Sequence, residues 1–255
     1  MRAGHASRTA EYNALFRALE SSRPQSGRLF DDPFARIFLT WPLSFVHELA
    51  RLTGFHAFIP WFIDHRWPGV RTSVVARTRL IDDAIAGSLN ERIEQFVVLG
   101  AGFDSRAYRL GSLQNTAVFE VDHPTTQAVK RRSLERALPV LPKHVRFVAS
   151  DFTQHDLQSN MAAAGYRESA RTFFLWEGVT NYLEKVGERF TFGIDPSQLM
   201  EFLSRRGLSL ESDIGAAEYR ARYFGEAARK MRGHEFYRVA IARVRAHAAQ
   251  HVCCG

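Results

Sequence analysis

Between residues 96 and 176 the chain alternates short, mostly apolar runs with helix-spaced segments. The runs 96–99, 118–121, 145–149 and 172–176 have the length and continuity of strands buried on both faces. Between them the spacing predicts a short helix near 105–110, a helix from Pro124 to about Ala137 and another near 155–164. Strands of this kind separated by helices form a mostly parallel sheet with helices on both faces, an α/β fold.

Upstream the pattern is helical. Residues 9–20 place Ala10, Ala14, Leu15, Ala18 and Leu19 at helical spacing. Asp32-Pro33 reads as an N-cap followed by proline at the first helical position, which predicts helix from Pro33 to Leu39. Residues 41–68 are rich in aromatics, with Trp41, Phe55, Phe58, Trp61 and Phe62, and read either as a substrate lid or as ordinary core packing. Thr72 or Ser73 is expected to cap a helix that runs to about Ala86 and is closed by Gly87.

Downstream, Arg189–Ile194 alternates like a strand, yet only residues 183–189 separate it from the preceding loop. A parallel crossover needs about a dozen residues, so this junction is no ordinary βαβ unit. Ser197–Arg206 reads as a helix ended by Gly207. Residues 208–211 and 236–244 read as a terminal antiparallel pair around a basic, helical insertion at 215–233. No Pro-, Gly- or Ser-rich linker divides the chain, which therefore reads as a single domain over 1–255, with a helical cap or lid over 1–90 and an α/β core over 91–255.

Candidate chemistry sits where the first strand of that core ends. Phe96–Leu99 runs into Gly100-Ala101-Gly102-Phe103-Asp104-Ser105-Arg106, and the next strand ends in Glu120-Val121-Asp122. Glycines after a parallel strand let backbone approach a ligand that a Cβ would block. An acid about 20 positions further on is where nucleoside-binding α/β folds hold ribose hydroxyls. A dinucleotide fingerprint would place its third small glycine or alanine at Ser105, beside the anionic Asp104. An anion there is a poor neighbour for a pyrophosphate and suits a cofactor with a cationic centre and no phosphate. The plain alternative is a βαβ turn that binds nothing.

Composition narrows the partners. The chain is 45% hydrophobic and 24% charged, with a net charge of +7. The arginines between Arg220 and Arg245 read as a solvated face; a sharper reading is attraction of an acidic small molecule. No nucleic-acid motif is present, and the most apolar stretch, 55–63, is too short to span a bilayer. Cys253 and Cys254 imply no disulfide framework, no leader pattern opens the sequence, and a cytoplasmic location is expected. No metal site is expected, and the oligomeric state stays open.

Taken in order, several segments resemble the leucine carboxyl methyltransferase family in its stand-alone bacterial form. They are Leu29-Phe30-Asp31-Asp32-Pro33-Phe34-Ala35, Val75-Ala76-Arg77-Thr78-Arg79-Leu80-Ile81-Asp82-Asp83, Leu99 to Arg106, Phe119 to Pro124, Asp151-Phe152, Trp176 to Leu183, and Phe190 to Phe202. The resemblance implies a class I methyltransferase-like, Rossmann-like fold and S-adenosylmethionine as cofactor. It implies that Arg77 holds the cofactor's carboxylate, that Gly100 and Gly102 let the methionine part approach, and that Asp122 takes the ribose hydroxyls, with Glu120 as a rival. It further implies that Asp151 and Phe152 flank adenine, that Glu177 lies near the methionine amino group, and that Tyr182 orients substrate. Helix N-capping is the ordinary reading of Asp151. Family members carry a helix and another strand after the position of Leu183; this apparent internal deletion predicts a sheet one strand short, with an exposed edge, unless Arg189–Ile194 has taken the place of that strand. The function implied is methyl transfer to the oxygen of a carboxylate or hydroxyl. The rival readings are an inactive remnant of the fold and a nicotinamide-dependent oxidoreductase, against which Ser105 argues.

Overall fold

The computed structural model describes residues 8–52, 54–152, 156–178, 194–231 and 237–245. The strand-like run from Arg189, Tyr182, the junction after Leu183, Cys253 and Cys254 lie outside the described residues. Gln95–Leu99 (β1), Ala117–Asp122 (β2), Val145–Ala149 (β3) and Thr172–Trp176 (β4) form a four-stranded sheet in the order β3-β2-β1-β4, with every pairing parallel.

Alternate residues of these strands feed two cores. Phe96, Val98, Val118 and Leu175 pack on Ile81 and Ile85 of α4 (Val70–Leu89). Val97, Phe119, Val121 and Val148 face the other way, onto Met161 of α7 (Leu157–Ala163). Burial on both faces holds for the central β1 and β2, each fully buried apolar side chain contributing about 1.5–3 kcal/mol. The flanking β3 and β4 correct that expectation, since Arg146, Ala149, Phe174 and Trp176 are exposed among the described residues. The remaining connections are the short α5 (Arg106–Arg109) and α6 (Pro124–Ala137), whose Leu134 is buried with Phe38 and Phe103.

Register decides what meets at the carboxyl ends. Leu99 lies opposite Val121 on one side and Trp176 on the other, and Asp122 lies opposite Ala149. The next residues along these strands, Gly100, Asp122 and Glu177, therefore emerge side by side, with Asp151 two positions beyond β3. Because β2 and β4 flank β1 on opposite sides, this is also the point where the winding direction reverses, the usual ligand crevice of such sheets.

The C-terminal segment adds α8 (Leu199–Ser204) and an antiparallel pair, β5 (Leu208–Ile214) and β6 (Val239–Val244), which form a separate two-stranded sheet. Between them α9 (Ala216–Phe224) sets Ala216 and Tyr219 against Ala76 and Leu80 of α4. At the other end α1 (Arg8–Ser21), α2 (Trp41–Ala50) and α3 (Phe55–Arg66) form the cap, joined through Leu15, Phe16, Leu19, Ala50, Ile59, Ile63 and Val74. Trp41, Phe55, Phe58, Trp61 and Phe62 are not in that cluster. They are exposed among the described residues, and from Phe55 to His65 they pack ring against ring along α3.

Two local expectations are corrected. The helix expected over 33–39 is a single 3-10 turn, Ala35–Phe38, because Phe38 stacks on Phe103 at 4.8 Å and Leu39 turns extended to enter α2. Helix α4 starts at Val70, after a left-handed Gly69, and not at a Thr72 or Ser73 cap; it also runs through the exposed Gly87. Glycine costs about 1 kcal/mol inside a helix, and here Ile85 and Leu89, both on the sheet core, hold the helix past it.

Asp32, 1% exposed, stitches the cap to the core. Its Oδ1 accepts from the N–H of Phe34 (3.2 Å) and Ala35 (3.0 Å), and its Oδ2 accepts from Arg17 Nε (2.8 Å) and Ser105 Oγ (2.6 Å). Asp32→Ala leaves the Arg17 Nε–H, the buried Ser105 hydroxyl and the N–H groups of Phe34 and Ala35 without this acceptor. It is expected to cost about 3 kcal/mol in urea unfolding; a loss below about 1 kcal/mol would contradict this role.

Candidate functional site

The turn after β1 needs its glycines: Gly100 and Gly102 have φ of 66° and 44°, a region other L-residues avoid. Ala101 N donates to Val121 O at 2.9 Å, and Gly102 N donates to Asp122 Oδ2. Asp122 Oδ1 accepts from the N–H of His123 at 2.6 Å. Each carboxylate oxygen keeps a further lone pair. Burial raises the Asp122 carboxyl above its ordinary value, against the lowering effect of the Gly102 and His123 N–H groups. Its rival Glu120 is committed elsewhere: it lies 2.8 Å from Lys130 Nζ and accepts from Tyr108 Oη at 3.1 Å, with 1% exposure.

Across the same strand ends lies a charge cluster. Arg77, on α4, donates through Nε to Glu177 Oε1 at 2.7 Å, joining residues 100 positions apart. The other oxygen, Glu177 Oε2, is 3.1 Å from Arg106 Nη1. Arg106 also donates through Nε to Asp82 Oδ1 at 2.9 Å and through Nη1 to Asp104 Oδ2, and Arg109 Nη2 reaches the same Asp82 oxygen at 2.8 Å. Burial alone would raise Glu177, but Arg77 and Arg106 hold it below the usual carboxylate range. Burial likewise works against Asp104, and Arg106, with Lys130 and Arg17 further off, brings it down to about 2. In the sequence Asp104 reads as an anion that suits a cofactor with a cationic centre. The correction is that Asp104 is spent on Arg106, its backbone N–H included (2.7 Å).

On the β3 side, Ser150 N donates to Asp122 O at 3.0 Å, drawing the chain that carries Asp151 alongside β2. Phe152 packs against the Val97 and Val121 core. The N-cap position of α7 is Asp156, not Asp151. Thus Arg77 and Glu177 meet directly, Gly102 and Asp122 meet directly, and Gly100, Asp151 and Phe152 border the same strand ends. Asp82, Arg106 and Arg109 were missed by sequence reasoning. Their signal is the charge they place in segments that are otherwise apolar, since a buried charge must be paired. Among the described residues no cluster of three His, Cys, Asp or Glu side chains is arranged to hold a metal, and no helix is long and apolar enough to cross a membrane.

The profile of the leucine carboxyl methyltransferase family matches residues 10–192. A Streptomyces coelicolor protein is 33% identical over 220 residues, covering 80% of this chain and 69% of its own. A Parafrankia protein is 33% identical over 219 residues, covering 83% and 64%, and a Bacillus subtilis protein is 35% identical over 112 residues, covering 44% and 36%. All three are provisionally named S-adenosyl-L-methionine-dependent methyltransferases. The chain thus spans between about one third and just over two thirds of the length of these relatives. It belongs to the leucine carboxyl methyltransferase family, a family of S-adenosylmethionine-dependent methyltransferases.

The Asp104–Arg106 pairing sets a pH dependence. A carboxyl held at about 2 when folded, against 3.8 in its absence, stabilises the fold fully above about pH 4 and loses that contribution as pH falls toward 2. Asp104→Asn is expected to lower stability at pH 7 by on the order of 2 kcal/mol. The gap from the natural protein should close as the pH is lowered from 4 to 2 in denaturant titrations. A gap independent of pH over that window would contradict the pairing.

Proposed function

We propose that this family member binds S-adenosylmethionine across the carboxyl ends of β1 to β4 and serves methyl transfer to the oxygen of a carboxylate or hydroxyl acceptor. The observation that carries this reading is the opposed pair Arg77 and Glu177 beside a left-handed glycine turn tied to Asp122. A guanidinium and a carboxylate held side by side complement the carboxylate and ammonium of an amino acid. Asp122 has lone pairs left for a ribose diol. These donors and acceptors fit the cofactor's two polar ends.

Arg77 is assigned to the cofactor's carboxylate and Glu177 to its amino group. Gly100 and Gly102 admit the methionine part, Asp122 accepts from the ribose hydroxyls, Asp151 accepts from the adenine amino group, and the Phe152 N–H donates to the ring. Tyr182 is retained as an orienting group on the strength of the family resemblance. When bound, the cofactor supplies an electrophilic methyl group on a sulfonium. The protein's part is to position the two reactants and exclude water. A carboxylate acceptor is ionised at neutral pH and needs no base, whereas a hydroxyl does. The neighbouring acids Glu120 and Asp104 are engaged with Lys130 and Arg106, so neither is offered as that base. An acidic small molecule suits the basic chain.

Calorimetric titration with S-adenosylhomocysteine, with NAD as control, tests the reading. Saturable binding of the first alone is expected. Asp122→Asn should weaken it about tenfold or more, the scale of a hydrogen bond to a charged group. No binding by a cooperatively folded sample would overturn the proposal. Binding without transfer of labelled methyl to any carboxylate or hydroxyl compound would favour the inactive remnant.

A further inference from the structure

The contact between Arg77 and Glu177 is made at one point. Only Arg77 Nε reaches Glu177, and only through Oε1; the two terminal nitrogens of Arg77 make no hydrogen bond among the described residues. Arginine and carboxylate pairs commonly form two parallel bonds. Here Glu177 Oε2 is instead held by Arg106 Nη1 at 3.1 Å. Arg106 is in turn fixed by Asp82 and Asp104 and by the packing of α5 against α4. The exposures separate two jobs: the Arg77 and Glu177 side chains are 14% and 22% exposed, while Arg106 is 4% exposed.

Taking the cofactor-binding reading as its premise, we infer that Arg106 is a positioning residue that keeps the terminal fork of Arg77 open by holding Glu177 off it. With Arg106 in place, Arg77, whose guanidinium lies over the Tyr237 ring at 5.9 Å, presents terminal N–H groups that make no hydrogen bond among the described residues to an incoming carboxylate, and Glu177 stays in reach of an ammonium. Without Arg106, Glu177 is free to turn and close a two-bond pair on Arg77. That internal pair competes with the amino-acid end of the ligand. The adenosine end, served by Asp122 and the residues after β3, lies on other strand ends and is untouched by the competition.

The contrast between two probes tests this. S-adenosylhomocysteine carries the amino-acid group and methylthioadenosine lacks it. Arg106→Lys keeps the charge but not the fork. It is expected to weaken S-adenosylhomocysteine about tenfold and to leave methylthioadenosine within about twofold. In a Glu177→Gln background the same change is expected to add no more than about twofold, since its effect runs through Glu177. Asp82→Asn, which loosens Arg106 and leaves it in place, should shift the ratio of the two affinities in the same direction by about threefold, and keeps the test open if Arg106→Lys fails to fold. Equal weakening of both probes, an unchanged ratio, or a full effect in the Glu177→Gln background would overturn the inference while leaving cofactor binding intact. Failure of the natural protein to bind either probe would overturn the cofactor reading itself, and this inference with it.

Discussion

A single buried guanidinium organises the site. Arg106 lies among Asp82 of α4, Asp104 of the glycine turn and Glu177 beyond β4. Around it the charges cancel: Arg17, Arg77, Arg106 and Arg109 face Asp32, Asp82, Asp104 and Glu177. Taking that many ions out of water is costly, and the attraction that compensates depends on geometry. Such a network is therefore better understood as fixing one arrangement than as supplying net stability. What it fixes is the relation between three elements that chain connectivity leaves separate.

The sheet makes that relation possible. Parallel register places Gly100, Asp122 and Glu177 one residue beyond matched positions on three adjacent strands, although they span most of the core in sequence. Helix α4 lies over these strands through Ile81 and Ile85, and the same packing brings Arg77 and Asp82 to the strand ends. The cap is joined through Asp32, whose Oδ2 takes Ser105 from the glycine turn and Arg17 from α1, while Arg17 also donates to Phe103 O at 2.6 Å. Apolar layers thus set the coarse position, and buried charges set the orientation of the groups that face the crevice.

That division explains what the sequence makes legible. The four parallel strands and α6 stand out because the strand runs are short and mostly apolar, interrupted by Glu120 and Arg146 alone among charged residues before the acid that ends β2, and Pro124 marks a helix start. The segment after Asp32 and the ends of α4 do not, because their local signals are overruled by distant ones: the Phe38–Phe103 stack shortens the first, and sheet contacts carry the second past Gly87. Asp122 and the glycines are readable from spacing alone. Arg77 and Glu177 are identified by family resemblance, since nothing local links residues 100 positions apart. Asp104 shows the limit most sharply. Its charge is visible in the sequence, but its partner Arg106 turns inward, so the acid beside the glycines belongs to the scaffold and not to the ligand.

On the proposed cofactor reading, recognition and positioning fall to different side chains by depth. The groups suited to touch a zwitterion, Arg77 and Glu177, keep some exposure, and the groups that aim them keep almost none. A charge at depth cannot relax into water when the ligand leaves, so the arrangement persists without it. The surface-reachable pair would otherwise neutralise itself in the unliganded protein, each group satisfying the other. Sharing Glu177 between two arginines prevents that closure, because its two oxygens point to different partners. A crevice that must receive both a carboxylate and an ammonium needs opposite charges that are close but not mutually satisfied. In this chain the third charge, out of reach of solvent, is what holds them in that state.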